Sequence, residues 1–114
     1  MPYLHKKTLS NFRCSCHKLM IEKGRHLNIE RDYRFCPYCL SRNVYIVEDE
    51  FHMLLICPLY DELRRECFAP QWLNTFESVN LFNAIMSSDQ ERHILALASF
   101  LHKAFSLREE TVTL

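Results

Sequence analysis

A chain of 114 residues can build one hydrophobic core but not two of ordinary size, which excludes a complete polymerase, kinase or transporter. Its formal charge is zero, yet residues 1–47 hold nine Lys/Arg against three Asp/Glu and residues 48–114 hold five against eleven, so only the first half is a candidate for contacting polyanions. The longest apolar runs, Met53 to Cys57 and Ile94 to Ala98, are far below the roughly 20 residues needed to cross a bilayer, and the start MPYLHKKTLSNF lacks the apolar stretch of a secretory signal; an intracellular (cytoplasmic or nuclear), reducing setting without membrane contact is expected.

With a single glycine, turns that need positive φ are scarce and a many-stranded β architecture is disfavoured. From Thr8 to Lys23, apolar residues at Leu9, Phe12, Cys16, Leu19 and Met20 predict one amphipathic helix, with Gly24 placed as its left-handed cap. Periodicity is lost from Arg25 to Asn43, which reads as loop, and Val44 to Val47 is a short β-favouring patch. Glu48, Asp49 and Glu50 supply first-turn negative charge for a short helix over 49–56. Pro58 bars helical geometry at Cys57 but suits the first turn of a new helix running to about Phe68. Pro70 and Trp72 open an irregular connection, and Val79 to Met86 predicts another short helix. Ser88 to Glu91 matches a capping box ahead of a stripe formed by Ile94, Leu97, Ala98, Leu101, Ala104 and Phe105. The expected fold is mainly α with at most a short β segment, and Cys36-Pro-Tyr-Cys39 followed by His52 and Cys57 makes it a small helical zinc-binding domain with a Cys-x2-Cys knuckle. It is expected as a single domain over 1–114, with a basic N-terminal helix region (1–24), a zinc module (25–68) and a C-terminal helical tail (69–114).

The chemistry centres on Cys36, Cys39, His52 and Cys57, spaced C-x2-C-x12-H-x4-C. Three thiolates and an imidazole in two close pairs suit one tetrahedral structural zinc, because a local turn presents each pair and the metal closes the loop between them. On an unbroken α-helix His52 and Cys57 would lie about 140° apart around the axis and could not share an ion. Pro58 removes that obstacle by forcing Cys57 out of helical geometry.

The segments FRCSCHKLMIEKGRHLNIERDYRFCPYC and VEDEFHMLLICPLYDELRR, within Phe12 to Arg65, resemble the region downstream of the reverse transcriptase domain in LINE-like (non-LTR) retrotransposons of animals. Cys36, Cys39, His52 and Cys57 match the four ligands of that family's zinc-binding C-C-H-C motif. Arg13, His17, Leu19, Glu22, Gly24, Arg25 and Arg34 match the flank before the first pair, Glu48 to Phe51 the approach to the histidine, and Pro58, Tyr60 and Arg64 the residues after the last ligand. Phe100, Leu101, Phe105 and Arg108 are similar to the element's tail. The gap of twelve residues between Cys39 and His52 is longer than the family's usual spacing, which marks Val44 to Val47 as an insertion. The resemblance implies a fragment or remnant of such a polyprotein, without polymerase activity and with a polymerase domain, absent from this chain, as a possible partner.

Cys-Pro-Tyr-Cys is also the redox motif of glutaredoxins, but such a site needs a buried strand before it and a helix after it, and Glu30 to Arg34 is too charged for the strand. The expectation is no enzyme. Cys14, Cys16 and His17 supply too few ligands for a second site unless Cys67 or His26 joins them; Cys16 is expected in the core and Cys67 as a small buried hydrophobe. Among the basic residues, Arg13, Lys18, Arg25, Arg31 and Arg34, with Tyr33 and Phe35 between them, are candidates to neutralise phosphates and stack on an unpaired base. For the lysines a solvated helix face explains the charge equally well. The family must hold both RNA and DNA, so single-stranded or junction nucleic acid is the expected partner. The alternative is a structural or protein-interaction module that uses the 94–105 stripe.

Overall fold

The computed structural model describes residues 2–68 and 78–112. Six α-helices are described: α1 Tyr3–Arg13, α2 Met20–His26, α3 Pro37–Leu40, α4 Asp61–Cys67, α5 Ser78–Ser87 and α6 Glu91–Val112. A 3-10 turn at Arg31–Tyr33, a π turn at His52–Ile56 and a 3-10 turn at Pro58–Tyr60 complete the helical content. No sheet forms among the described residues. The β-favouring patch at 44–47 contributes only an isolated antiparallel bridge between Phe35 and Val47. The expected irregular stretch at Pro70 and Trp72 lies outside the described residues.

α6 is the spine. Leu97, Ala98, Phe100, Leu101 and Ala104 are completely buried along it, and α1 and α4 pack on the same helix. α1 contributes Leu9 and Phe12, and the ring of Phe12 meets Phe105 edge-on at 6.3 Å. Phe100 takes Tyr60 and Phe68 at centroid distances of 6.4 and 5.1 Å, which joins the cysteine-bearing segment to the same core. The stripe that the interaction-module alternative would use as a docking face is therefore largely internal, and residues from all three sequence segments share one hydrophobic cluster.

Three local expectations are corrected. The helix predicted over Thr8 to Lys23 is two helices: Ser15 adopts a left-handed φ of 58°, α1 stops at Arg13, and Cys16 is left exposed instead of entering the core. Gly24 does not cap anything. It lies buried inside α2, and the left-handed positions are Ser15, Asn28 and Asn43; Asn tolerates that region well, so scarcity of glycine is no obstacle to these turns. The capping box at Ser88 is displaced, because α6 starts at Glu91 and the Ser88 hydroxyl instead accepts the Gln90 N–H at 3.3 Å and pairs with His93 Nδ1 at 2.7 Å.

Glu48, expected as a first-turn charge, turns inward. Its carboxylate accepts two hydrogen bonds from the Arg108 guanidinium, at 2.9 and 2.7 Å, and a third from the Met20 N–H at 2.8 Å. Burial works against the charge on Arg108, but the hydrogen bonds and charge of Glu48 outweigh it and raise the arginine's pKa. Removing one member of a buried pair leaves an uncompensated charge, at a cost of about 3–5 kcal/mol. Arg108→Met should therefore lower stability by about that amount in urea denaturation. Adding Glu48→Gln should recover part of the loss, since a neutral amide still accepts the Met20 N–H; a double variant no more stable than Arg108→Met would refute this account.

Candidate metal centre and the basic face

Each half of the cysteine constellation is presented by its own turn. Cys36 has extended backbone, Pro37 opens α3 at the position where a missing N–H costs nothing, and Cys39 sits inside that single turn. The Cys36 N–H donates to the Ile46 carbonyl at 2.8 Å, which fixes the strand-like approach. On the other side, Asp49 accepts the His52 N–H through its side chain at 2.8 Å, the role of a helix N-cap. The chain then widens into the π turn, and the Cys57 N–H closes it on the His52 carbonyl at 2.8 Å, with Cys57 extended at ψ 124° ahead of Pro58. Proline geometry at Cys57 is as expected from sequence. The π turn is not, and it is the second half of the answer to how residues five apart reach one point: its i→i+5 closure widens the turn and brings the histidine and cysteine ends together.

Cys36, Cys39, His52 and Cys57 are all buried, and their ligand atoms lie within 4.8 Å of one another. The Cys36 and Cys57 sulfurs are 3.9 Å apart, as are those of Cys39 and Cys57, and Cys39 Sγ is 3.4 Å from His52 Nε2. Ideal tetrahedral edges built from zinc–sulfur bonds of about 2.3 Å and zinc–nitrogen bonds of about 2.0–2.1 Å are about 3.8 and 3.5 Å. The cluster thus fits a small ion of that class, and no other group of this kind occurs among the described residues. Cys14 and Cys16 stay exposed, and His17 is committed elsewhere: its Nδ1 accepts the Leu19 N–H, and its Nε2 meets Glu50 at 2.9 Å, holding that carboxyl below the usual carboxylate range. Cys67 is half-buried beside the core.

A hydrogen bond from the Cys57 thiol lowers Cys36 to about 4, while Cys57 is pushed up by that same bond and by burial, and Cys39 is raised by burial. An ion that takes all three as thiolates must displace protons, so its apparent affinity should fall as pH falls. Chelator competition at pH about 8 and about 6 should show clearly weaker binding at the lower value; a pH-independent affinity would mean that the thiols are not ligands.

The basic candidates do not form one patch. Arg34 is half-buried; its guanidinium donates to the carbonyls of Ile29 and Ile21, each at 2.9 Å, and its stem crosses Gly24. A Cβ on Gly24 would stand 2.5 Å from Arg34 Cγ and 2.8 Å from Cδ. The glycine is there to let an anchored arginine pass. Gly24→Ala should consequently destabilise, even though alanine gains about 1 kcal/mol in helix propensity. Thermal melting of that variant should show a net loss, and a gain would mean Arg34 yields freely.

Arg25 pairs with Glu22 at 2.6 Å on the exposed side of α2, and Arg31 is exposed on the neighbouring 3-10 turn. Lys18 stands 3.9 Å from Glu109. Arg13 lines a cleft with Lys6, Ser10 and Ile94 that none of the other predicted contacts lines. Tyr33 and Phe35 do come together, edge-on at 6.0 Å, and the row continues to Tyr45, which meets Phe35 at 5.6 Å and is 66% exposed. Sequence reading missed Tyr45, although an aromatic residue in a β-favouring patch was the available signal. It also missed the inward turns of Glu48, Arg64 and Arg108; a charge on the helical face of Leu101 and Ala104, as at Arg108, was the only trace.

Comparison with family models, curated proteins and solved structures finds no match to this chain. No helix among the described residues is long and apolar enough to cross a membrane.

Proposed function

We propose that this chain is a non-catalytic zinc module, a fragment or remnant of a retrotransposon-type reverse transcriptase protein. In this reading it binds one structural zinc ion through Cys36, Cys39, His52 and Cys57 and holds single-stranded or junction RNA or DNA on the surface beside it. The observation that carries the reading is the buried convergence of three sulfurs and one imidazole nitrogen. Zinc suits that donor set because thiolate and imidazole ligands in a closed tetrahedral arrangement leave no position open for chemistry.

Nucleic-acid binding is supported by the row in which exposed Tyr33 and Tyr45 flank the half-buried Phe35, with the exposed cation Arg31 in the same segment. The retrotransposon reading draws support from which residues frame the cluster. Gly24, Arg34, Glu48, Arg64 and Arg108 carry the resemblance, and each makes a specific internal contact. The interaction-module alternative loses its expected surface, since the 94–105 stripe is largely spent in the core.

Protein purified without a histidine tag should contain one zinc ion per chain. Cys57→Ser should lose most of it, and Cys14→Ser, altering an exposed thiol, should keep it; equal loss from both would defeat the ligand set. On single strands each phosphate contact contributes about 0.7 to the salt slope, so replacement of Arg31 by alanine should flatten it by about 0.7. Tyr33→Ala or Tyr45→Ala should weaken single-strand binding by about 1–3 kcal/mol with little effect on duplex. Zinc-loaded protein that bound no nucleic acid at low salt would leave the interaction module standing.

A further inference from the structure

The π turn that unites His52 with Cys57 has a weakness built into it. Its carbonyls at Met53 and Leu54 would ordinarily be taken by N–H groups four or five residues on. For Leu54 the residue four on is Pro58, which has no N–H, and the Leu59 N–H, five on, is directed to the Cys57 sulfur; for Met53 the residue five on is Pro58, and the Cys57 N–H, four on, is already given to His52. Both residues are completely buried, so water cannot substitute. Leaving two carbonyls unpaired in that position would cost enough to open the turn.

Arg64 fills the gap. From α4 its Nε donates to the Leu54 carbonyl at 2.8 Å and its Nη2 to the Met53 carbonyl at 2.9 Å. Its Nη1 is held by Asp61 at 2.7 Å, and the residue is only 6% exposed. A planar fork aimed at two adjacent carbonyls is a task for guanidinium, because an ammonium serves them one at a time.

We propose that Arg64 is a positioning residue for the metal: it holds the His52–Cys57 half of the ligand set at the spacing an ion requires, through the two carbonyls that Pro58 leaves without donors. This rests on the zinc reading. Partners that orient ligands from outside the coordination sphere typically change metal affinity about 10–100-fold when removed. Arg64→Met, which keeps the apolar stem, should accordingly weaken zinc binding by chelator competition at least about 10-fold. It should also distort the visible absorption bands of the cobalt-loaded protein. In the metal-loaded variant a thiol alkylating reagent should reach Cys57 before Cys36 and Cys39, a selectivity that general loosening of the fold would not produce.

Arg64→Lys keeps the charge but not the fork, so it should resemble Arg64→Met; should Arg64→Met fail to fold, the lysine variant decides. Arg65→Met, on the exposed side of the same helix, should bind zinc like the native chain. If the native chain binds neither zinc nor cobalt, the zinc reading falls and this inference with it. If the native chain binds and Arg64→Met matches it in affinity and in protection of Cys57, the zinc reading stands and the role of Arg64 is overturned. Full rescue by Arg64→Lys would likewise overturn the two-carbonyl clamp in favour of charge alone.

Discussion

One carboxylate ties together segments that lie far apart in sequence. Glu48 holds Arg108 of α6 and the first N–H of α2 through its side chain, while its backbone N–H donates to the Arg34 carbonyl at 2.9 Å and its carbonyl accepts the Ile21 N–H at 2.9 Å. Every polar atom of the residue has a partner inside the protein. A charge so deeply buried is sustained only by this full set of partners, and breaking any of them exposes the rest to the cost of desolvation. The consequence for the cluster is direct, because the chain on one side of Glu48 leads back to Cys36 through the Phe35–Val47 bridge and on the other side runs forward to Asp49, the cap of the turn bearing His52. The position of each ligand pair relative to the other is set at Glu48.

The two ligand pairs are built by opposite means. Cys36 and Cys39 need only one helical turn opened by a proline, a local device that forms with little help. His52 and Cys57 need a π turn, a rare geometry that leaves buried carbonyls without donors, and it persists because Arg64 reaches in from α4. An ion that bridges the two pairs closes a loop that would otherwise cost chain entropy to hold, and couples the local pair to the supported one. Charge balance follows the same arrangement. Three thiolates around a divalent ion carry one net negative charge, and Arg64 feels Cys57 while Arg108 feels Cys36. With Glu48 answering Arg108, the ion cluster and its three buried charged neighbours would sum to zero.

What the sequence made legible follows from how local each signal is. The ligand spacing, the break at Cys57 and the apolar stripe of α6 depend on neighbours within a turn or two, and each is found in the fold. Gly24 was misread because a glycine after an apolar repeat signals a cap only when backbone conformation is the reason for it. Here the reason is the stem of Arg34, ten residues away, and no pattern along the helix reports that contact. The split between α1 and α2 was hidden for a related reason: Cys16 fits the apolar rhythm, but the left-handed turn at Ser15 carries it off the helix and into solvent. Glu48 could not be told from Asp49 and Glu50 as three acids in a row, although one pairs with a buried arginine, one caps a turn and one meets a histidine.

The arginines show why charge counted along the chain overstates the polyanion-binding surface. In the basic half, Arg34 is spent on two carbonyls and Arg25 is paired with Glu22, while Arg42 lies over the ring of Tyr38 at 4.8 Å. In the acidic half, Arg64 and Arg108 are both internal. A guanidinium is chosen for such positions because it stays charged and can satisfy two acceptors in one plane, so arginine in a small domain with few glycines is as much a backbone-capping residue as an electrostatic one. Among the arginines of the basic half, Arg13 and Arg31 remain outside, as do Lys6, Lys7, Lys18 and Lys23, but only Arg31 shares a segment with the aromatic row of Tyr33, the half-buried Phe35 and Tyr45, carried on the stretch that Cys36 and the Val47 bridge hold in place. Stacking on that row requires the three rings to keep their spacing. An ion that orders Cys36 also orders the segment from Phe35 to Tyr45 on which the row stands, so the proposed binding of nucleic acid would depend on metal through the geometry of the rings more than through the number of cations.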